Sequence, residues 1–284
     1  MTFISYAQNF KDVILWRVLN HVKNGTYIDV GANDPVADSV TNAFYQQNWK
    51  GINIEPSKDY WIKLQNARPR DINLCLAAGS TEGEMILNIV DNTGLNTLHN
   101  NIADAHIQLG RSIVKKVVQV RSLNNILMEY PLNDIHFIKI DVEGHELEVL
   151  EGLNLRIQRP WVIVVEAMDP TSPHTQISIA HRWQHLLINN EYMLAYSDGL
   201  NEFYLANEKI DLVERFRYPP NWFDHFILAE HDNAARQLFA ANEKMQEIQR
   251  QNKALTDEIG AMHATVSWRV TRPLRWVRRI VRSL

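Results

Sequence analysis

Thr26-Tyr27-Ile28-Asp29-Val30-Gly31-Ala32-Asn33-Asp34 is a β-branched and aromatic run that ends in an acid and a glycine, then passes into a helical pattern. A strand turning into a helix in this way brings backbone amides and a carboxylate to one sheet edge, where a nucleotide-like cofactor can be held. A second acidic strand end, Gly51-Ile52-Asn53-Ile54-Glu55-Pro56, places Glu55 24 residues beyond Gly31. That is near the roughly 20-residue spacing at which a carboxylate meets ribose hydroxyls. Dinucleotide turns carry Gly-x-Gly-x-x-Gly so that backbone can approach a pyrophosphate. Here Gly31 is followed by Asn33, Asp34 and Pro35, with no second or third glycine. The turn therefore suits a cofactor without a pyrophosphate, as S-adenosylmethionine is, and speaks against a nicotinamide oxidoreductase.

A third strand end of the same kind is Ile138-Lys139-Ile140-Asp141-Val142-Glu143-Gly144. Through these three motifs, in this order on alternating elements, residues 20–228 resemble the FkbM-type class I S-adenosylmethionine-dependent methyltransferases. Asp34 and Pro35 stand where many members carry a small residue or glycine. The resemblance implies an α/β fold with a Rossmann-like seven-stranded sheet, mostly parallel with its last strand antiparallel, and S-adenosylmethionine as cofactor.

Strands are expected at 26–30, 51–54, 72–77, 85–90, 117–121, 135–140, 161–166, 192–196 and 202–206, from β-branched and apolar runs bounded by turn residues. Helical patterns at 6–23, 36–48, 57–67, 122–129, 145–151 and 176–190 give the alternation of a mostly parallel sheet covered on both faces. Asp198-Gly199-Leu200 reads as a hairpin turn. The catalytic domain is expected to span 1–228, closing on Tyr218-Pro219-Pro220-Asn221-Trp222-Phe223.

Beyond it, Leu238, Ala241, Met245, Ile248, Asn252, Leu255, Ile259, Met262 and Val266 alternate intervals of three and four. This predicts a coiled-coil helix over 229–266, with Asn252 at an a position that favours a parallel homodimer. The competing reading is a surface helix packed on its own domain. From Ser267 to Leu284 there are six arginines and no acid, leaving 23 bases against 33 acids in the rest. Trp268, Val270, Leu274, Trp276, Val277, Ile280 and Val281 interleave with those arginines, forming a basic amphipathic tail suited to an anionic membrane surface or a partner in glycan assembly. The acidic body argues against nucleic acid as a partner. With no signal peptide, no long apolar run and one cysteine, Cys75 in an apolar strand-like run, the expectation is a cytoplasmic protein, peripheral at the inner face of the membrane if the tail docks there.

Asp29 is expected to accept hydrogen bonds from the turn amides or the cofactor amine, and Gly31 and Asn33 to admit the cofactor closely. Glu55, an acceptor when ionised, can take both ribose hydroxyls. Ser39, early in the following helix, resembles a family serine that touches the cofactor carboxylate, and Leu76, Ala77 and Ala78 would line the adenine. The candidate catalytic group is Asp141, Glu143 and His145. In-line methyl transfer to a hydroxyl requires alignment and removal of a proton, so a carboxylate or imidazole must stand at the acceptor. Asp141 is the first candidate for positioning or base and also a cofactor-binding residue, His145 is the second base candidate, and Glu143 would stabilise the sulfonium or orient His145. Glu166 ends the next strand and could join Asp141 in holding a divalent cation, a question the sequence leaves open. The loop Asp91-Asn92-Thr93-Gly94-Leu95-Asn96-Thr97-Leu98 resembles the family's substrate loop, and Asp198 and Asn201 are further candidate sugar contacts. The leading expectation is an O-methyltransferase acting on a sugar of a bacterial surface polysaccharide or other glycan. The alternative is a non-catalytic cofactor-binding scaffold recruiting partners through coiled coil and tail.

Overall fold

The computed structural model describes residues 2–91, 93–171, 175 and 177–275. The chain divides after Leu228 into two compact units. In the first, seven strands form one sheet: β2 (Thr26–Val30), β3 (Lys50–Ile54), β4 (Ile72–Leu74), β8 (Phe137–Ile140), β9 (Val162–Glu166), β10 (Tyr192–Ser197) and β11 (Asn201–Ala206). Their order is β10-β11-β9-β8-β2-β3-β4, and every pairing is parallel except those of β11, the last of the seven in sequence.

Alternation along the strands gives the sheet two cores. Ile28, Val30, Ile52, Ile54, Ile138, Ile140, Ile163 and Val165 face one side, where α5 (Leu123–Glu129), α6 (Glu146–Glu151) and α7 (Gln184–Asn189) cover them. Tyr27, Phe137, Val162, Val164, Phe203 and Leu205 face α1 (Lys11–Leu19) and α2 (Val40–Gln46) on the other. The parallel register sets Val30 beside both Ile54 and Ile140, and Ile140 beside Val165. The acidic ends of four strands are thereby drawn up abreast. One row earlier on the aromatic face, Asp29 lies directly beside Lys139.

Several elements differ from expectation. The 72–77 run is two pieces: β4 closes the main sheet, and β5 (Ala77–Ala78) pairs with β7 (Ile113–Arg121) in a separate sheet completed by β6 (Gly83–Val90). Cys75 lies exposed between them, outside any strand. The first helix shrinks to α1 after a 3-10 turn because Asn9 and Phe10 adopt left-handed backbone. The second begins only at Val40, after a left-handed Asp38. A 3-10 turn at Ala180–Arg182 precedes α7, and Gln176 lies outside the described residues. Elements without a sequence expectation are α4 (Asn100–Gln108) and the parallel pair β1 (Phe3–Ser5) and β12 (Phe226–Leu228). The expected 57–67 helix is α3 (Lys58–Ala67).

The second unit is dominated by α8 (Ala229–Ala264), with no buried residue along its 36 positions. Gly260 does not break it. Thr265 does: its backbone is extended and its hydroxyl accepts the Trp268 amide at 3.3 Å, starting α9 (Val266–Val270). Val266 therefore leaves the predicted seam, which ends at Met262. Arg275 stacks on the Trp268 ring at 3.7 Å. Trp276 to Leu284, half of the predicted basic tail, lies outside the described residues. No helix among the described residues is long and apolar enough to cross a membrane.

Candidate active site

The turn after β2 is laced to its neighbours by backbone. Gly31 and Ala32 amides donate to the Ile54 carbonyl at 3.0 and 3.2 Å, and the Asp141 amide donates to the Val30 carbonyl at 3.2 Å. Gly31 has φ +75°, and a Cβ there would fall 2.0 Å from the Asp141 carbonyl oxygen, so glycine is required twice over. Asp34 turns back to accept the Val36 and Ala37 amides, both at 3.0 Å, and pairs with Lys63 at 3.0 Å. Burial pushes its pKa up, but these amides and the lysine hold it below the usual carboxylate range. The Pro35 carbonyl accepts from buried Arg68 at 2.6 Å, and the same guanidinium donates to Ser39 and Thr41 at 2.8 and 3.2 Å. The departures at Asp34 and Pro35 thus form a self-capped turn whose Val36 and Ala37 amides are already committed. Those two amides are thereby withheld from a phosphate.

All the candidate residues, Asp29, Gly31, Asn33, Ser39, Glu55, Ala77, Asp141, Glu143 and His145, line one cavity of about 410 Å³. Ala78 lines it too, whereas Leu76 packs in the core. Ser39 precedes α2 rather than lying within it, and its hydroxyl already accepts from Arg68. Glu55 accepts the Asn33 and Ser57 amides through separate oxygens at 2.9 and 2.8 Å. Burial raises its pKa to about 7 despite those amides. The turn amides expected on Asp29 go to Ile54 instead. Asp29 accepts the Thr41 hydroxyl at 2.7 Å on one oxygen, while the other, 3.3 Å from Lys139 Nζ, has no well-aligned hydrogen bond.

Two buried lysines, neither anticipated, define the electrostatics. Lys139 Nζ donates to the Gly31 carbonyl at 2.6 Å and lies 3.5 Å from Asp141. Lys11 Nζ lies 3.6 Å from Asp141 and donates to Asn201 at 3.2 Å. Burial would raise the Asp141 pKa; Lys139 and then Lys11 outweigh it and hold that carboxyl well below the usual range. Lys139, which burial alone would discharge, is held above the ordinary lysine value by Asp141 and Asp29. Glu143 and Glu166 each bring an oxygen within 4.8 Å of Asp141. Burial, then the Asp141 charge, raises Glu143 to about 8 and Glu166 well above its normal value. The three acids could surround a cation, but the two ammonium groups already occupy that electrostatic role.

The Asp141–Gly144 turn is pinned from below. Glu146 is buried and accepts the Val142 and Gly144 amides at 3.2 and 3.0 Å, and Glu143 adopts left-handed backbone with φ 52°. The Glu143 carbonyl accepts the Thr97 hydroxyl at 2.8 Å. His145 caps α6 and is buried; its pKa is lowered, by burial first, so it is neutral at pH 7. In the 91–98 loop, Asn92 lies outside the described residues; Gly94, Leu95, Asn96 and Leu98 line the cavity, and a Cβ on Gly94 would strike Asn33 Nδ2 at 2.1 Å. Asn201 is not a surface contact. It is buried, accepts from Lys11, and donates to Asp198.

A mostly parallel seven-stranded sheet with its last strand reversed, and an acid-lined cavity across the carboxyl ends of the central strands, define a Rossmann-like methyltransferase fold. The family model for the methyltransferase FkbM domain matches residues 29–194, more than half of the chain, and the chain belongs to that family. No curated protein matches it. Membership implies S-adenosylmethionine, and the residues present fit that group. The Asp29 oxygen beside Lys139 is a buried acceptor with lone pairs left for an ammonium, Glu55 has free lone pairs for a diol, and Ala77 and Ala78 offer a flat apolar wall.

Proposed function

We infer that the protein is an S-adenosylmethionine-dependent O-methyltransferase acting on a hydroxyl of a saccharide, in a bacterial surface polysaccharide or another glycan. The observation that carries this reading is a second cavity of about 400 Å³ that meets the first at Leu95, Glu143, Glu166 and Leu200. Its wall includes His106, Arg111, Asp169 and Asp198, a polar lining suited to a polyhydroxylated acceptor. A cofactor cavity and an acceptor cavity joined at carboxyl groups is what hydroxyl methylation requires.

Bound S-adenosylmethionine supplies the electrophilic methyl group. Asp29 and Glu55 hold the cofactor. Asp141, kept ionised by Lys139 and Lys11, accepts a hydrogen bond from a neighbouring hydroxyl of the saccharide and so positions the acceptor, leaving the reacting hydroxyl's proton to the base. Glu166, kept protonated beside that anion, donates to it and supports its position. Glu143 is the better base, since its pKa of about 8 lies near working pH. The reaction profile of kcat/KM should then show an acid limb at or below about pH 8, moved downward by the cofactor's positive charge.

The exposed stripe of α8, with Leu238, Met245, Ile248, Leu255, Ile259 and Met262 around Asn252, supports a parallel homodimer as part of this reading. The basic tail would bring the enzyme to an anionic membrane surface or to a glycan-assembly partner. Calorimetric titration with S-adenosylhomocysteine, with and without magnesium or manganese, tests the cofactor assignment. Saturable one-to-one binding is expected; no binding under any condition would sink the cofactor assignment, while binding without methyl transfer to any acceptor would favour the scaffold. Methyl incorporation into saccharide acceptors tests the rest.

A further inference from the structure

His99, His145 and Glu148 bring one ligand-type atom each within 4.8 Å of one another. Of the three, only His145 reaches the cofactor cavity. His145 Nδ1 lies 3.1 Å from His99 Nε2 and 3.5 Å from Glu148 Oε2. A hydrogen bond between the imidazoles accounts for one of these approaches, but Nδ1 can serve a single partner at a time. Glu148 Oε2 is buried and has no hydrogen-bond partner, although it is aimed at the same point. A tetrahedral ion with bonds of about 2.0–2.1 Å holds its ligand atoms about 3.3–3.4 Å apart. The two observed separations straddle that value.

The geometry points to a zinc-type metal site formed by His99 Nε2, His145 Nδ1 and Glu148 Oε2, with a fourth position for water. Two imidazole nitrogens and one carboxylate suit a borderline ion such as Zn²⁺; magnesium and calcium prefer oxygen throughout. The local folding supports it. His145 and Glu148 are three apart at the start of α6 and share a helix face. His99 caps α4, and its amide donates to the Thr97 hydroxyl, which in turn donates to the Glu143 carbonyl. Arg182 is a cation whose field reaches His145 and opposes an ion there; the Glu148 carboxylate offsets it. The ion would clamp the 93–99 loop to the 141–148 turn and leave His145 Nε2 facing away from it, beside Gly79. This site is independent of the methyltransferase reading.

The test uses the untagged full chain stripped with chelator, titrated with Zn²⁺ against a chromophoric competitor and separately with Co²⁺. One equivalent is expected to bind, with the intense visible absorption of four-coordinate Co²⁺ and a raised melting midpoint with Zn²⁺. His99→Ala and Glu148→Gln should each weaken binding about 100-fold or more, since even an outer partner of a ligand costs 10–100-fold. Glu166→Gln, in the other acidic cluster, should leave it unchanged. Absence of one-to-one binding, wild-type affinity in either folded variant, or loss confined to Glu166→Gln overturns the proposal. Should either variant fail to fold, the wild-type Co²⁺ spectrum decides, a six-coordinate spectrum or none counting against the site.

Discussion

The two units place their informative residues in opposite environments. In the first, charges are buried: Lys11, Lys139, Asp29, Glu55 and Glu146 are all inaccessible or nearly so. In the second, apolar side chains are exposed, Leu238 at 63% and Leu255 at 55% among them. Both arrangements run against solvation, and each is informative for that reason. A buried charge persists where neighbouring charges or a ligand compensate it, whereas an exposed apolar stripe calls for a covering surface. The first unit carries its compensation within itself, as the Lys139 contacts to Asp29 and Asp141 show. In the second, the described residues of α8 leave that stripe uncovered.

The sharpest way to break this contrast is at Asp141. Asp141→Ala is expected to lower turnover by about 10³-fold or more, roughly 4 kcal/mol of transition-state stabilisation, while S-adenosylhomocysteine binding by calorimetry is largely spared. Normal methyl transfer in this variant would remove Asp141 from the site. Lys139→Met leaves buried Asp29 without its cation and Asp141 with Lys11 alone, and should cost about 3–5 kcal/mol in urea unfolding. A neutral result would show that the buried charges are not mutually required. Glu55→Ala should weaken cofactor binding by on the order of 30–100-fold, the scale of losing hydrogen bonds to a charged group.

Glu143 tests the same idea through pH. Its pKa is raised from 4.5 to about 8, so the native state favours the protonated form. Its stability contribution is fully present below about pH 4.5 and is lost as pH rises through about 8. Glu143→Gln should therefore match wild type near pH 5 and melt higher at pH 9, by an amount equivalent to about 1–2 kcal/mol. Equal pH slopes for the two proteins would contradict the assignment. The smallest effect on the first unit is expected from Leu255→Asp, which should convert dimer to monomer in sedimentation while leaving turnover per chain unchanged. A wild-type monomer at high protein concentration would overturn the homodimer.

What could be read from sequence follows the range of the interactions. Asp29, Glu55 and Asp141 were legible because an acid ending an apolar strand is a local pattern, and parallel register then brings such ends together. Lys11 was not, because its meaning depends on Asn201, 190 residues away. Lys139 did carry a signal, as the one charge inside Phe137–Ile140, all four buried. Glu146 carried a weaker one, three residues after Glu143 at a helix start. The separate β5-β7-β6 sheet was hidden because no glycine or proline marks the break around Cys75, and α4 because it opens on Asn100-Asn101, poor helix formers. β1 and β12 are three residues each, too short for periodicity to register.

The self-capped turn at Asp34 bears on attempts to redesign this cleft. Inserting the missing glycines would free the backbone geometrically, yet the Val36 and Ala37 amides would still be spent on Asp34, and the Pro35 carbonyl on Arg68. Converting the scaffold to a phosphate-bearing cofactor would require dismantling that capping set first. Arg68 also holds Ser39 and Thr41, so the exchange would spread into the start of α2. Cofactor choice in this chain is a property of a connected block of side chains rather than of a glycine count.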